Sequence, residues 1–151
     1  MYQQTSLDDL ITGPTPPGFW DDAEIISRYT RAQAIEDGVL SDVSKIAREA
    51  GIIHPVALTT NIRIDLDDIP PTRSGIESYQ GRMWDLLNIA RWYMRSAPDG
   101  KDTIYAKMIL TRLEQHVSGR NVFKKTYIFK IHVGPGDTPA PVITIMRKDE
   151  D

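Results

Sequence analysis

The densest set of groups able to do chemistry is the run Asp65-Leu66-Asp67-Asp68, three carboxylates within four residues. Oxygen-rich clusters bind hard cations, but a calcium loop needs glycine-punctuated spacing and a terminal glutamate, and this run has neither. It reads instead as an acidic edge ahead of Pro70 and Pro71, with no metal expected. His54, His116 and His132 are scattered and lack the paired spacing of a zinc site. The absence of cysteine excludes disulfides, thiolate ligands and cysteine nucleophiles. Neither a glycine-lysine phosphate loop nor a nucleophile elbow occurs, and Gly134-Pro135-Gly136-Asp137 reads as a turn between strands. No catalytic residue and no cofactor is expected on these grounds.

Charge is mild overall, at -3, but unevenly distributed. Residues 1–24 hold Asp8, Asp9, Asp21, Asp22 and Glu24 with no lysine or arginine. Residues 107–130 hold Lys107, Arg112, Arg120, Lys124, Lys125 and Lys130 against Glu114 alone. One end could present carboxylates to a partner and the other could face phosphates. The candidate acidic contacts are Asp21, Asp22 and Glu24 together with Asp65, Asp67 and Asp68. The nucleic-acid alternative uses Lys107, Arg112, Lys124, Lys125 and Lys130.

The elements that must position these groups follow from periodicity. At 151 residues the chain is expected to form one domain. No secretory segment and no apolar run long enough for a membrane is visible, which fits a cytoplasmic protein. Residues 1–18 end in Gly13-Pro14-Thr15-Pro16-Pro17-Gly18 and predict a loose proline-rich arm ahead of a single domain over 19–151. A short strand through Ile25, Ile26 and Tyr29 leads to Thr30, which stands in capping-box spacing with Gln33 ahead of a helix closed by Gly38. Ser41 predicts the start of a second short helix, ended by Gly51. From Ile52 to Leu66 the chain is rich in β-branched residues, and the alternation of Ile62, Ile64 and Leu66 with Arg63 and Asp65 predicts one or two strands.

The strongest signal is the stretch from Ser74 to Ala97. Ser74 and Glu77 have capping-box spacing, and Tyr79, Met83, Leu86, Leu87, Ala90, Tyr93, Met94 and Ala97 form one apolar stripe at helical spacing. Pro98 and Gly100 supply the stop. Three alternating segments follow, around Ile104–Leu110, Tyr127–Val133 and Val142–Met146. The expected class is α+β in two layers: a mostly antiparallel sheet of about four to five strands, covered by one long central helix and two short N-terminal helices.

The segments IISRYTRAQAIEDGVLSDVSKIAREAG, HPVALT, GRMWDLLNIA and GPGDTPAPVITIM, in that order, resemble a family of short proteins of plasmids, phages and other mobile elements catalogued only as a domain of unknown function. The resemblance covers nearly the whole chain from Trp20 and implies a bacterial accessory protein. It leads to the expectation of a non-catalytic binding protein that inhibits a host defence effector, in the manner of anti-CRISPR proteins. The partner would be a host protein or ribonucleoprotein complex met by the acidic groups. Binding of nucleic acid through the basic segment ranks second. Third is an enzyme, since a strand ending in Arg28-Tyr29-Thr30 followed by a short helix is similar in layout to the opening of ADP-ribosyltransferase-like folds. Tyr29 and Arg31 would then contact a dinucleotide, and Glu150 would be the acid.

Overall fold

The structure, a computed structural model, describes residues 29–116 and 119–151. The predicted arm and the predicted strand through Ile25 lie outside the described residues. From Arg31 onward the order is α1 (Arg31–Glu36), β1 (Leu40–Asp42), α2 (Ser44–Glu49), β2 (Val56–Thr59) and α3 (Thr60–Asp67). A 3-10 turn (Pro71–Arg73), α4 (Tyr79–Ser96), β3 (Thr103–His116), β4 (Gly119–Pro135) and β5 (Pro141–Arg147) follow. The class is α+β. The five strands form one sheet in the order β1-β2-β5-β4-β3.

That sheet is mixed. β1–β2, β5–β4 and β4–β3 are antiparallel, but β2 and β5 run parallel, with Val56 opposite Ile143 and Leu58 opposite Ile145. A parallel pair needs a long crossover, and here α3, α4 and the β3–β4 hairpin provide it. β2 is buried at Val56, Ala57 and Leu58, as a strand flanked on both sides requires.

The predicted strand over Ile62–Leu66 is a helix instead, α3. Thr59 takes an extended conformation and its hydroxyl accepts from the Ile62 amide at 3.4 Å, which starts a helical turn. Ile62 and Leu66 are fully buried whereas Ile64 is 56% exposed. The buried pair is four apart, a spacing that a strand and a helix share. Ser41 does not start the second short helix: Leu40–Asp42 forms the edge strand β1, and α2 begins at Ser44, where Asp42 accepts from the Ser44 amide and hydroxyl. Gly38 and Gly51 both have φ in the left-handed region and follow α1 and α2 as C-terminal signals.

The long helix α4 starts four residues later than a cap at Ser74 predicts. Ser78 caps it by accepting from the Gly81 amide at 3.0 Å, and Ser74 closes the 3-10 turn. Its 18 residues span about 27 Å. Met83, Leu86, Leu87 and Ala90 are buried, in one core with Met108, Leu110, Phe129, Ile131, Ile143, Ile145, Ile62 and Leu66. Truncating either Leu86 or Leu87 to Ala, both fully buried, is expected to cost about 2–5 kcal/mol in urea unfolding. Variants that melt within a degree or two of the parent would show that this face does not form the core.

Candidate functional site

The acidic and basic groups that stand apart in the sequence meet at one end of the sheet. Asp65, on the exposed-to-core boundary of α3, accepts from Arg147 Nε and Nη2, both at 2.7 Å, and from the Tyr127 hydroxyl in a short hydrogen bond. Arg147 ends β5 on the same face as Ile143 and Ile145, which is why it points at α3. Arg112 Nη1 donates to the Asp65 carbonyl at 3.0 Å and to Asp68 Oδ2 at 3.1 Å, and its guanidinium lies 5.6 Å from the centre of the Tyr127 ring. Glu150 Oε2 accepts from Thr59 Oγ1 at 2.8 Å and from the Arg147 amide at 2.7 Å, while Lys130 Nζ donates to the Glu150 carbonyl.

Electrostatics follow from this geometry. Burial by itself would raise the Asp65 carboxyl, but the hydrogen bonds from Arg147 and Tyr127 and the nearby cations hold it below the usual aspartate value. Burial pushes the Tyr127 hydroxyl well above the ordinary tyrosine value, and the bond to Asp65 adds to the shift. The hydrogen bond to Asp65 holds Arg147 protonated more firmly than a free arginine. A saturated carboxylate beside a tyrosine fixed in its neutral form is a clamp. It has no group that exchanges a proton near neutral pH.

The remaining sequence candidates are dispersed. Asp67 lines a groove of about 270 Å³ with Thr60, Arg63, Ile64 and Tyr79. Arg31 donates to Thr144 Oγ1 at 2.6 Å and to the Ile143 carbonyl at 2.7 Å, and burial lowers its pKa. Gly134 and Pro135, expected in a turn, continue β4 opposite Val142 and Pro141, and Asp137 beyond them accepts from the Arg31 and Ala32 amides at 2.7 and 3.0 Å as a remote cap for α1. Tyr29 is exposed. Asp21, Asp22 and Glu24 lie outside the described residues. Lys125 pairs with Glu114 at 3.0 Å. Among the described residues no group of three or more His, Asp or Glu side chains could hold a metal ion, and no helix is long and apolar enough to cross a membrane.

What periodicity alone did not single out is the second face of the β3–β4 hairpin. Ala106, Met108 and Leu110 are buried, so the intervening residues face the other way. The register sets Tyr105 opposite Lys130, Lys107 opposite Ile128 and Ile109 opposite Thr126. Tyr105 is 57% and Ile109 59% exposed, with Ile128 exposed beside them. No carboxylate occupies these six positions. The available signal was an apolar residue on both parities of the strand, Ile104 and Met108 on one, Tyr105 and Ile109 on the other. Of the five basic candidates, Lys107 and Lys124 are exposed on this hairpin, whereas Arg112, Lys125 and Lys130 hold partners within the fold.

The chain belongs to a family of unknown function, DUF6573, whose model matches residues 17–151. No curated protein and no solved structure matches it.

The clamp makes a pH-dependent prediction. A carboxylate whose folded value is depressed stabilises the fold above its unfolded value, and that contribution is lost as pH falls through the folded value. Asp65→Asn is therefore expected to cost about 1–3 kcal/mol near neutrality, with the difference from the parent shrinking below about pH 4. Urea unfolding across that range checks it, and a difference independent of pH would refute the clamp.

Proposed function

We propose that this member of the DUF6573 family is a non-catalytic binding protein, carried by a mobile element, that inhibits a host defence effector. It binds a protein partner through the outer face of the β3–β4 hairpin. The observation that carries the reading is the exposure of Tyr105, Ile109 and Ile128 on one sheet face, interleaved with Lys107 and free of carboxylates. Contiguous exposed apolar residues mark interaction sites, and a lysine among them selects a partner with carboxylates at the rim. This differs from the acidic contact that the sequence suggested. Asp65 is largely buried and paired with Arg147, which leaves its charge little to offer a partner, while Asp68 pairs with Arg112 at the surface.

Nucleic acid fits the same face less well. Sequence-independent binding draws on many neutralised phosphates, and here Lys107 and Lys124 are exposed while Arg112, Lys125 and Lys130 are engaged within the fold. The aliphatic side chains Ile109 and Ile128 offer no stacking surface for bases. The enzyme reading draws no support from Arg31, which holds the Ile143 carbonyl, or from Glu150, which holds the Arg147 amide.

The test is phage plating on hosts that each carry one defence system, with and without the protein. Restored plating on at least one host is expected, and Ile109→Asp with Ile128→Asp should abolish it while the doubly substituted protein still unfolds cooperatively. Salt-sensitive filter binding of nucleic acid by the isolated protein, lost on reversing Lys107 and Lys124 to Glu, would sink the protein-partner reading and promote the nucleic-acid one.

A further inference from the structure

The strand β3 is an edge strand, 14 residues long. Its two halves are treated differently by the fold. The Asp102 carbonyl accepts from the Val133 amide, so even-numbered backbone groups of this segment face β4. Odd-numbered groups then face away from the sheet, and the Thr111 carbonyl does so, accepting from Arg82 Nη2 at 3.0 Å. Arg82 and Glu77 together close the edge at Thr111, the latter accepting from the Thr111 hydroxyl at 2.7 Å. Nearer the start of β3 the described residues provide no such cover. Among the described hydrogen bonds, none reaches the outward amides and carbonyls of Tyr105, Lys107 and Ile109.

An open row of backbone donors and acceptors is a template for another strand. We infer that the partner supplies an extended segment that pairs with the free edge of β3 over Thr103–Ile109, adding a sixth strand to the sheet. The inference rests on the reading of this hairpin as the binding site and names how the site is used. The side chains choose the occupant. Lys107 sits at the middle of the open stretch, between Tyr105 and Ile109 on the same face. Two copies of this chain pairing edge to edge about that middle would bring their Lys107 side chains together, and like charges directly opposite destabilise a pair. A segment with a carboxylate opposite Lys107 and apolar residues opposite Tyr105 and Ile109 meets attraction at all three positions. The main chain supplies affinity and the alternate side chains supply selectivity.

The probe is a synthetic peptide of about ten residues, long enough for one strand, alternating valine with glutamate and threonine. A second peptide carries lysine in place of glutamate. Amide hydrogen exchange followed by NMR is expected to slow by about tenfold or more at Tyr105, Lys107 and Ile109 with saturating acidic peptide, a fold-change equivalent to about 1.4 kcal/mol. Ala106 and Met108, which already face β4, should change little. Lys107→Pro removes an outward N–H and no bond to β4, a substitution that edge strands tolerate. It should weaken the acidic peptide at least about tenfold relative to Lys107→Val, and the lysine peptide should not bind the parent. Binding that shifts Tyr105 and Ile109 side-chain signals but leaves the three amides unprotected would overturn strand addition and leave the face as the binding site. Absence of binding at millimolar peptide would also overturn it, whereas the fate of the wider reading is decided by phage plating.

Discussion

The guanidinium of Arg82 is the interaction on which the arrangement of this protein depends. It is 4% exposed on a helix face otherwise made of Met83, Leu86, Leu87 and Ala90. Removing such a charge from water costs several kcal/mol after relaxation unless every donor finds a partner. Here Nε and Nη2 meet Glu77 Oε1, Nη1 meets the Leu66 and Asp68 carbonyls, and Nη2 meets Thr111 through both its carbonyl and its hydroxyl. The Leu66 carbonyl belongs to the last turn of α3, where a cation is favoured by the helix dipole. One side chain thus holds the end of α3, the segment entering α4 and the edge of β3 in a single relative geometry.

A second clamp, Asp65 with Arg147 and Tyr127, repeats the device in the same last turn of α3. That clamp and the neighbouring Arg112 partly neutralise the acidic run Asp65–Asp68 within the fold. The acidic run after Ile64 and the basic residues of β3, β4 and β5 are separated along the chain but paired in space, at Asp65 with Arg147 and Asp68 with Arg112. What stays exposed on the hairpin is an apolar strip with lysines, and that strip carries the proposed function.

Much of the fold was legible in the sequence where one period ruled. The stripe from Met83 to Ala90 and the alternation of Ile143 and Ile145 are legible because each set lines the one core. The period failed at Ile62 and Leu66, whose spacing suits both helix and strand, and the Thr59 hydroxyl decided in favour of the helix. Ser74 and Glu77 match a capping box, but Glu77 has stronger partners in Arg73, Arg82 and Thr111, so the cap falls to Ser78. Contacts across long separations leave no local trace. Asp137 capping α1 and Arg147 reaching Asp65 are of this kind. Arg82 did leave one, a charged residue within an apolar helical stripe, and that is the pattern by which a buried clamp can be found.

The position of β5 has a consequence for how the protein is made. It is the last strand in chain order yet it lies at the centre of the sheet, between β2 and β4. Val56 and Ile143 must meet across most of the described chain, which makes closure of the sheet a slow step dominated by non-local contacts. On the ribosome, β1–β2 and the β3–β4 hairpin emerge first, and each presents an open edge until β5 arrives. The nascent chain therefore passes through a window in which two halves of one sheet are exposed to chaperones, proteases and each other's copies. Synthesis of a single seven-residue strand closes that window for both halves at once.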